Sequence, residues 1–349
     1  MKKTILLLLL CGIFFTAGAQ STKQDTLSIA FWNLENLFDT KDDPKINDQE
    51  FLPESERKWD NDKFNKKLLN QSAVIRSMNF GRGPDLLGVC EVENAYVLRK
   101  LSDEKLADLQ YQFVHFDSPD ERGIDVALLF RGSKFKVLDK ETFPVLLPDG
   151  YKTRDILMVI LEVKKNPTEK IAILVNHWPS RRQGQAESEI NRVTAAATAS
   201  LAIAKMKENG MATQFIIMGD FNDEPLNTSI ISTLGAKPVT CDSLPALTTE
   251  AAKTELLNFS YEPKSRGEGS YKYRDDWNML DQIIISRGLV LGENFQYVCG
   301  SFEVVKPYFL VQKDGRYAGT ALPTFGGRNY LGGYSDHFPV MLKITSKIR

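Results

Sequence analysis

A layered α/β fold is what this sequence predicts, on three observations. Eight short runs are rich in Val, Ile, Leu and Phe, two longer segments repeat apolar residues at helical spacing, and 349 residues, 42% apolar and 26% charged, suffice to bury a large core. The strands are read at residues 27–32, 86–90, 126–130, 157–163, 171–175, 215–218, 282–285 and 340–344. The helices are read at 62–78 and 186–209, the second alanine-rich and closed by Asn209-Gly210. No internal repeat or low-complexity linker divides residues 25–347, which are expected to form one domain. The stretch 39–60 is polar, holds Pro44 and Pro53 and lacks periodicity, so it predicts a long surface loop.

Residues 1–19 read differently. They begin with Lys2 and Lys3, continue with an apolar run from Ile5 to Phe15 and end in Ala17-Gly18-Ala19, the pattern of a secretory signal peptide. The run is too short to span a bilayer, and Leu10 before Cys11 speaks against a lipoprotein. A periplasmic or extracellular protein is expected, with no integral membrane segment after cleavage. Losing Lys2 and Lys3 leaves 42 basic against 45 acidic side chains, a mildly acidic chain that cannot hold a polyanion by bulk charge. Of the remaining cysteines, Cys90 lies in an apolar run and is expected in the core; Cys241 and Cys299 allow at most one internal disulfide with it or with each other. A monomer without a stable protein partner is expected.

The polar residues collect where the apolar runs end. Residues 29–32 lead into Asn33-Leu34-Glu35, 88–90 into Glu91, 173–175 into Asn176-His177, 215–218 into Gly219-Asp220-Phe221-Asn222, and Met279-Leu280 into Asp281, while Ser335-Asp336-His337 precedes the last strand. A lone Asp or Asn after a strand is usually a turn or a cap. Six such clusters in a layered α/β chain point to one site at the strand ends. Their oxygen donors and imidazoles, with no thiolate, favour Mg²⁺, Mn²⁺ or Ca²⁺ and hence phosphoryl chemistry. Only three histidines exist, and His177 and His337 both fall in the clusters, whereas His115 alternates along a strand-like stretch and reads as structural. Asp336 adjoins His337 too closely to orient its ring, so a distant carboxylate such as Asp281 is expected to do so.

Taken in order, Asn33, Glu91, His177, Asp220-x-Asn222, Asp281 and Ser335-Asp336-His337 resemble the endonuclease/exonuclease/phosphatase superfamily, which includes deoxyribonuclease I, exonuclease III, sphingomyelinases and inositol-polyphosphate 5-phosphatases. The resemblance spans essentially the whole chain after residue 19 and implies a four-layer α/β sandwich, two mixed β-sheets packed face to face and flanked by helices. It implies Glu91 as the principal metal ligand, with Asn33, Asp336 and, as an additional acid, Glu35 in the metal shell, and Mg²⁺ as the cofactor. Asp220 would activate the attacking water, Asn222 would hydrogen-bond phosphoryl oxygens, Asp281 would orient His337, and His337 and His177 would face the phosphate. Arg154 matches a phosphate-contacting arginine of the deoxyribonuclease I branch, and Asp125 is the carboxylate expected to orient His177.

The shared residues hold a phosphate and a metal, and do not name the leaving group. A secreted endonuclease or phosphodiesterase is the leading expectation, on Arg181-Arg182 and on Lys264, Arg266, Lys272 and Arg274 interleaved with Tyr261, Tyr271 and Tyr273, a pattern suited to nucleic acid. A phosphomonoesterase or a sphingomyelinase-like enzyme is the alternative, the latter requiring an exposed apolar hairpin for which 304–311 is the late candidate. A non-catalytic phosphate-binding protein would be the reading had Glu91, Asp220 or His337 been missing.

Overall fold

The structure, a computed structural model, describes residues 24–182, 184–212, 214–247 and 253–348. The expected signal peptide lies outside them. In chain order the strands are β1 (Gln24–Leu37), β2 (Leu86–Val92), β3 (Tyr111–His115), β4 (Asp125–Arg131), β5 (Phe135–Phe143), β6 (Ile156–Val163), β7 (Asn166–His177), β8 (Gln214–Asp220) and β9 (Lys237–Pro238). They continue as β10 (Leu256–Asn258), β11 (Tyr271–Tyr273), β12 (Asp276–Asn278), β13 (Asp281–Ser286), β14 (Phe295–Tyr297), β15 (Glu303–Val304), β16 (Phe325–Gly326), β17 (Asn329–Tyr330) and β18 (Val340–Lys347). The helices are α1 (Asn61–Gly81), α2 (Ala95–Arg99), α3 (Glu189–Glu208), α4 (Tyr261–Ser265) and α5 (Arg287–Leu291).

Two mixed sheets result, flanked by helices. The first runs β14-β18-β1-β2-β4-β3 with β15 on β18, and the second β5-β6-β7-β8-β13-β10-β9. The strands of the second sheet read as unbroken apolar runs because both of its faces are covered. Period-two alternation divides each run: Leu157, Val159, Leu161, Ile173, Val175, Ile216, Met218 and Ile283 join the core between the sheets. Ile156, Met158, Ile160, Leu174, Phe215 and Ile217 face outward into a second core. There α3 closes down on the sheet through Ala195, Ala196, Ala199 and Ala202, whose small side chains permit near approach. α1 packs on the first sheet's side, and its N-terminus is capped by Asp60, which accepts from the Lys63 N–H at 2.9 Å.

Each predicted strand lies within an observed one, and α1 and α3 stand where helical spacing placed them. Stretch 39–60 is the surface loop expected, with a single short turn at Gln49–Phe51, and aromatic residues pin it to the core. Phe38 stacks on Phe51 with centroids 4.3 Å apart, Trp59 is fully buried, and its indole donates to the Phe38 carbonyl at 3.1 Å. Its aromatic residues lack periodicity because they fill a gap between loops. The 304–311 stretch is no continuous strand: Val304 and Leu310 are buried, Tyr308 is exposed and Lys313 covers its ring. Cys241 and Cys299 form a disulfide, and Cys90 is free and buried. Among the described residues, no helix is long and apolar enough to cross a membrane.

Candidate active site

Strand register builds the site. β7 and β8 pair His177 with Asp220, and β8 and β13 pair Asp220 with Asp281, so one row across the second sheet carries three of the expected residues. Gly219 permits that row, since a Cβ there would lie 2.4 Å from the Asn176 carbonyl oxygen on β7. The first sheet supplies Asn33, which pairs with Cys90, and Glu91 just beyond. His337 arrives ahead of β18, its carbonyl accepting from the Trp32 indole at 2.9 Å and its N–H donating to Ser335 Oγ at 3.1 Å. Ser335 Oγ donates in turn to the Asn33 carbonyl at 2.7 Å. Glu35, Asn36, Glu91 and Asn222 adopt φ of 49°, 52°, 59° and 50°. Side chains with a Cβ avoid this left-handed region, so backbone strain is concentrated at the strand exits that form the site.

The polar groups converge on Asp220. Asn33 Nδ2 donates to Asp220 Oδ2 at 3.1 Å and to Glu91 Oε1 at 3.3 Å, tying the two sheets together. His177 Nε2 lies 3.8 Å from both Asp220 Oδ2 and Glu91 Oε1, and His337 Nε2 lies 3.9 Å from Asp220 Oδ2. The Asp281–His337 pair expected from sequence forms, with Oδ2 to Nδ1 at 2.6 Å. Tyr271 stacks on the His337 ring, centroids 4.6 Å apart, and so walls the site on the side of the β11–β12 hairpin.

Burial and charge set these groups apart. Burial pulls His337 down, but Asp281, Asp336 and Asp220 outweigh it and hold the imidazole well above its usual pKa, so it is a cation at neutral pH. Burial, with Arg154, Arg122 and His337 nearby, keeps His177 well below its usual pKa and therefore neutral. Its Nδ1 is buried without a hydrogen-bond partner. Burial lifts Asp220 to about 6 and Asp336 to about 7, the first with Asp281 and the second with Glu35 and Glu91 opposing ionisation.

One expectation needs correction, that for Asp125, and three other expected residues have protein partners that the sequence did not show. Asp125 does not orient His177: its Oδ2 sits 2.9 Å from His115 Nε2, and its Oδ1 accepts from the Ser118 N–H. Arg154 is buried and donates to Asp120 at 2.9 Å and to the carbonyls of His177 and Trp178 at 3.1 and 2.8 Å, so it props the end of β7 instead of reaching for phosphate. Glu35 Oε2 accepts from both the N–H and the hydroxyl of Thr324 at 2.7 Å, which fixes the orientation of that carboxylate. Asn222 donates its amide to the Trp178 carbonyl at 2.9 Å and its N–H to Asp220 Oδ1 at 3.0 Å, so it fastens the turn that aims Asp220. Sequence reasoning missed Lys67 and left Tyr271 among generic aromatics. Lys67 carried a signal: it occupies a seam position on α1 between Phe64, Leu68 and Gln71, where an apolar residue belongs.

The donors present fit a hard divalent cation. Glu91 and Asp336 offer carboxylate oxygens, and Asn33, whose Oδ1 accepts from the Glu35 N–H at 2.9 Å, turns its amide nitrogen to Glu91, while the Cys90 thiol is pushed up well above its usual pKa by burial and stays protonated. His177 with Asp220 and Cys90, and Asp220 with Asp281 and His337, are clusters close enough to share an ion.

A model of the endonuclease/exonuclease/phosphatase family matches residues 28–346. No curated protein matches the chain. Among solved structures, the chain is similar to an endonuclease/exonuclease/phosphatase family protein from Bacteroides thetaiotaomicron, at 18% identity and a TM-score of 0.55 over 93% of this chain and 100% of that one. A mannosyl-6-phosphatase of the same organism matches at 19% identity and 0.54, covering 91% and 99%. Danio rerio TDP2 complexed with a single-strand DNA product matches at 14% and 0.52, covering 91% and 98%. At these identities the structures establish the shared fold.

Proposed function

The chain belongs to the endonuclease/exonuclease/phosphatase family, and from that premise we propose that it is a secreted phosphoesterase that cleaves a P–O bond by divalent-metal-assisted attack of water. One observation carries this: two buried histidines, His177 and His337, face Asp220 at 3.8 and 3.9 Å, and their surroundings push the first below and the second above the usual imidazole pKa. Asp220, held by Asn33 and the Asn222 N–H, takes the proton from the attacking water. His337, fixed by Asp281, donates toward the phosphoryl oxygens as negative charge develops on them. His177 Nε2 offers a second, neutral donor. Glu91, Asp336 and Asn33 would hold Mg²⁺ or Mn²⁺, which when bound screens the anionic ester.

Two features favour a small, polar phosphoester over a polymer. The basic residues that suggested a nucleic-acid track are internally paired: Lys264 with Glu224 at 2.9 Å, Arg266 with Glu262 and Glu268, and Arg181 with Asp223 at 3.1 Å. A cavity of about 450 Å³ is lined by Asp43, Glu93, Asp117, Asp120, Glu121 and Asp125, with Lys45 and Lys152. Glu93, two residues after Glu91 in the chain, lines it, and six acids against two lysines disfavour a polyanion while accepting hydroxyl donors. The mannosyl-6-phosphatase among the similar structures fits a sugar phosphate. The nuclease reading stands second, favoured by Lys272 and Arg274 beside Tyr271 and Tyr273 on the β11–β12 hairpin.

The test is to incubate protein lacking residues 1–19 with hexose 6-phosphates, bis(p-nitrophenyl) phosphate and supercoiled plasmid, with Mg²⁺, Mn²⁺ or chelator. Chelator-sensitive phosphate release from the hexose phosphates is expected. Plasmid nicking without phosphate release would replace this substrate reading by the nuclease one, and no metal-dependent turnover on any substrate would overturn the enzyme reading.

A further inference from the structure

A second cavity, of about 190 Å³, lies between the β5–β6 loop and the loop that leads from β7 into α3. Its charge is opposite to that of the acidic cavity, with Arg122, Arg154 and Arg182 against one carboxylate, Asp149. Asp149 is exposed and already accepts from the Tyr151 N–H at 3.0 Å. Asp120 divides the two cavities: it lines the acidic one, while the arginines beside it, Arg154 at 2.9 Å and Arg122 at 3.7 Å, line this one. Arg154 is committed to Asp120 and to the carbonyls of His177 and Trp178. The other two have charge to spare. Among the described residues, the Arg122 guanidinium makes no hydrogen bond beyond its 3.7 Å approach to Asp120, and Arg182 has neither a hydrogen bond nor an ion pair.

Thr153 points to the same ligand chemistry. It lines this cavity, is 2% exposed, and its Oγ1 is buried without a hydrogen-bond partner among the described residues. Buried hydroxyls are normally satisfied, so this one is left for something that accepts a hydrogen bond. A cation would be repelled by the arginines, and an apolar group would leave the hydroxyl unmade. We propose that the cavity binds a phosphate group, gripped by Arg122 and Arg182 and fixed in depth by the Thr153 hydroxyl. Guanidinium forks match such an oxyanion, and the volume is below the roughly 300–1,000 Å³ of sites for drug-sized ligands, which suits one small group. The group is carried either by the substrate, as a second phosphate, or by free phosphate in solution. Arg154 joins the cavity to the active site in both cases, since it holds the His177 carbonyl at 3.1 Å.

Binding of inorganic phosphate to the mature chain, kept metal-free with chelator, tests it by calorimetry and by the rise in melting temperature. A site that survives His337→Gln is expected, since it does not use the active-site cation. The Arg122→Gln/Arg182→Gln double variant changes two side chains that reach solvent, and should weaken that site at least about tenfold. Thr153→Val removes only the hydroxyl. It should weaken phosphate by about three- to tenfold, and without phosphate it should melt no lower than wild type, because the hydrogen bond it deletes was unmade. No phosphate binding to the wild type, binding that disappears in His337→Gln, or an unchanged affinity in either cavity variant would overturn the proposal. The source is read from kcat/KM. A preference for hexose 1,6-bisphosphate over hexose 6-phosphate that the double variant loses assigns the site to a second phosphate of the substrate. The same ratio in wild type and double variant, with phosphate binding lost only in the latter, assigns it to free phosphate. Only this comparison rests on the phosphoesterase reading, and absence of turnover on both esters would count against that reading while the binding result stands.

Discussion

Asp281→Asn isolates the charge that keeps His337 protonated. The carboxylate is fully buried, gives one oxygen to His337 Nδ1 at 2.6 Å and leaves its other oxygen without a partner, so its negative charge serves the imidazolium. Asparagine keeps the shape and an acceptor, and removes the charge. Leaving a buried cation without its counter-ion costs about 3–5 kcal/mol, and at 1.36 kcal/mol per decade this lowers the proton affinity of the imidazole by roughly 10²–10⁴-fold. If His337 acts as the donor to the phosphoryl oxygens, kcat at neutral pH falls by at least about tenfold and at most by that factor. The assay is the pH profile of hydrolysis of a chromogenic phosphoester, with the His337 ring followed by NMR. The basic limb of the profile should move to lower pH, because the histidine now loses its proton earlier. A folded Asp281→Asn protein with a rate within about threefold of wild type and an unmoved basic limb would refute the assignment of His337 as the charged donor.

Three further outcomes are expected. Asp220→Ala should lower turnover by about 10²–10⁴-fold with the melting temperature unchanged or raised, since the deleted carboxyl is buried and held at about 6 against its preference to ionise. Burial, with Asp39, Asp48 and Asp43 nearby, pushes Glu93 up to about 8, so the unfolded chain sheds this proton from about pH 4.5 while the folded one retains it, and the fold loses stability across that window. Glu93→Gln should therefore match wild type in acid and exceed it progressively toward pH 8, by about 2–4 kcal/mol, in denaturant melts at several pH values; equal stability at all pH values would count against it. Reduction of Cys241–Cys299, which closes a separation of 58 residues, should cost about 4 kcal/mol, read as a drop in denaturation midpoint that a Cys241→Ser/Cys299→Ser double variant reproduces.

Strands and strand exits were legible because burial on both faces leaves unbroken apolar runs, and a polar residue at the end of such a run stands out. Asp336 could be set aside as partner of His337 because it adjoins it, and Asp281 was legible through the family resemblance. What could not be read was partnership across the chain. Asp125 is 10 residues from His115 and bonds to it, but sequence offered His177 as an equally reasonable partner. Arg154 and Glu35 carry the residue types a phosphate or a metal would need, and only the folded chain reveals that Asp120 and Thr324 have already engaged them. The basic and aromatic cluster is less available than composition suggests, since composition counts a lysine as positive whether or not Glu224 is 2.9 Å away.

The arrangement of the two sheets bears on when the protein can work. Residues 24–131 and 295–347 build the first sheet and the intervening strands build the second, so the middle of the chain is bracketed by its two ends. Asn33, Glu91 and His337 belong to the outer bracket, and His177, Asp220 and Asp281 to the inner one. Gly88 meets Met218 across the gap so closely that a Cβ there would lie 2.5 Å from the sulfur, which fixes how far apart the two triplets stand. The site thus behaves as a coincidence detector for complete folding. Neither sheet alone holds a reactive centre, and during synthesis none can form before the last strand, β18, emerges and slots between β1 and β14.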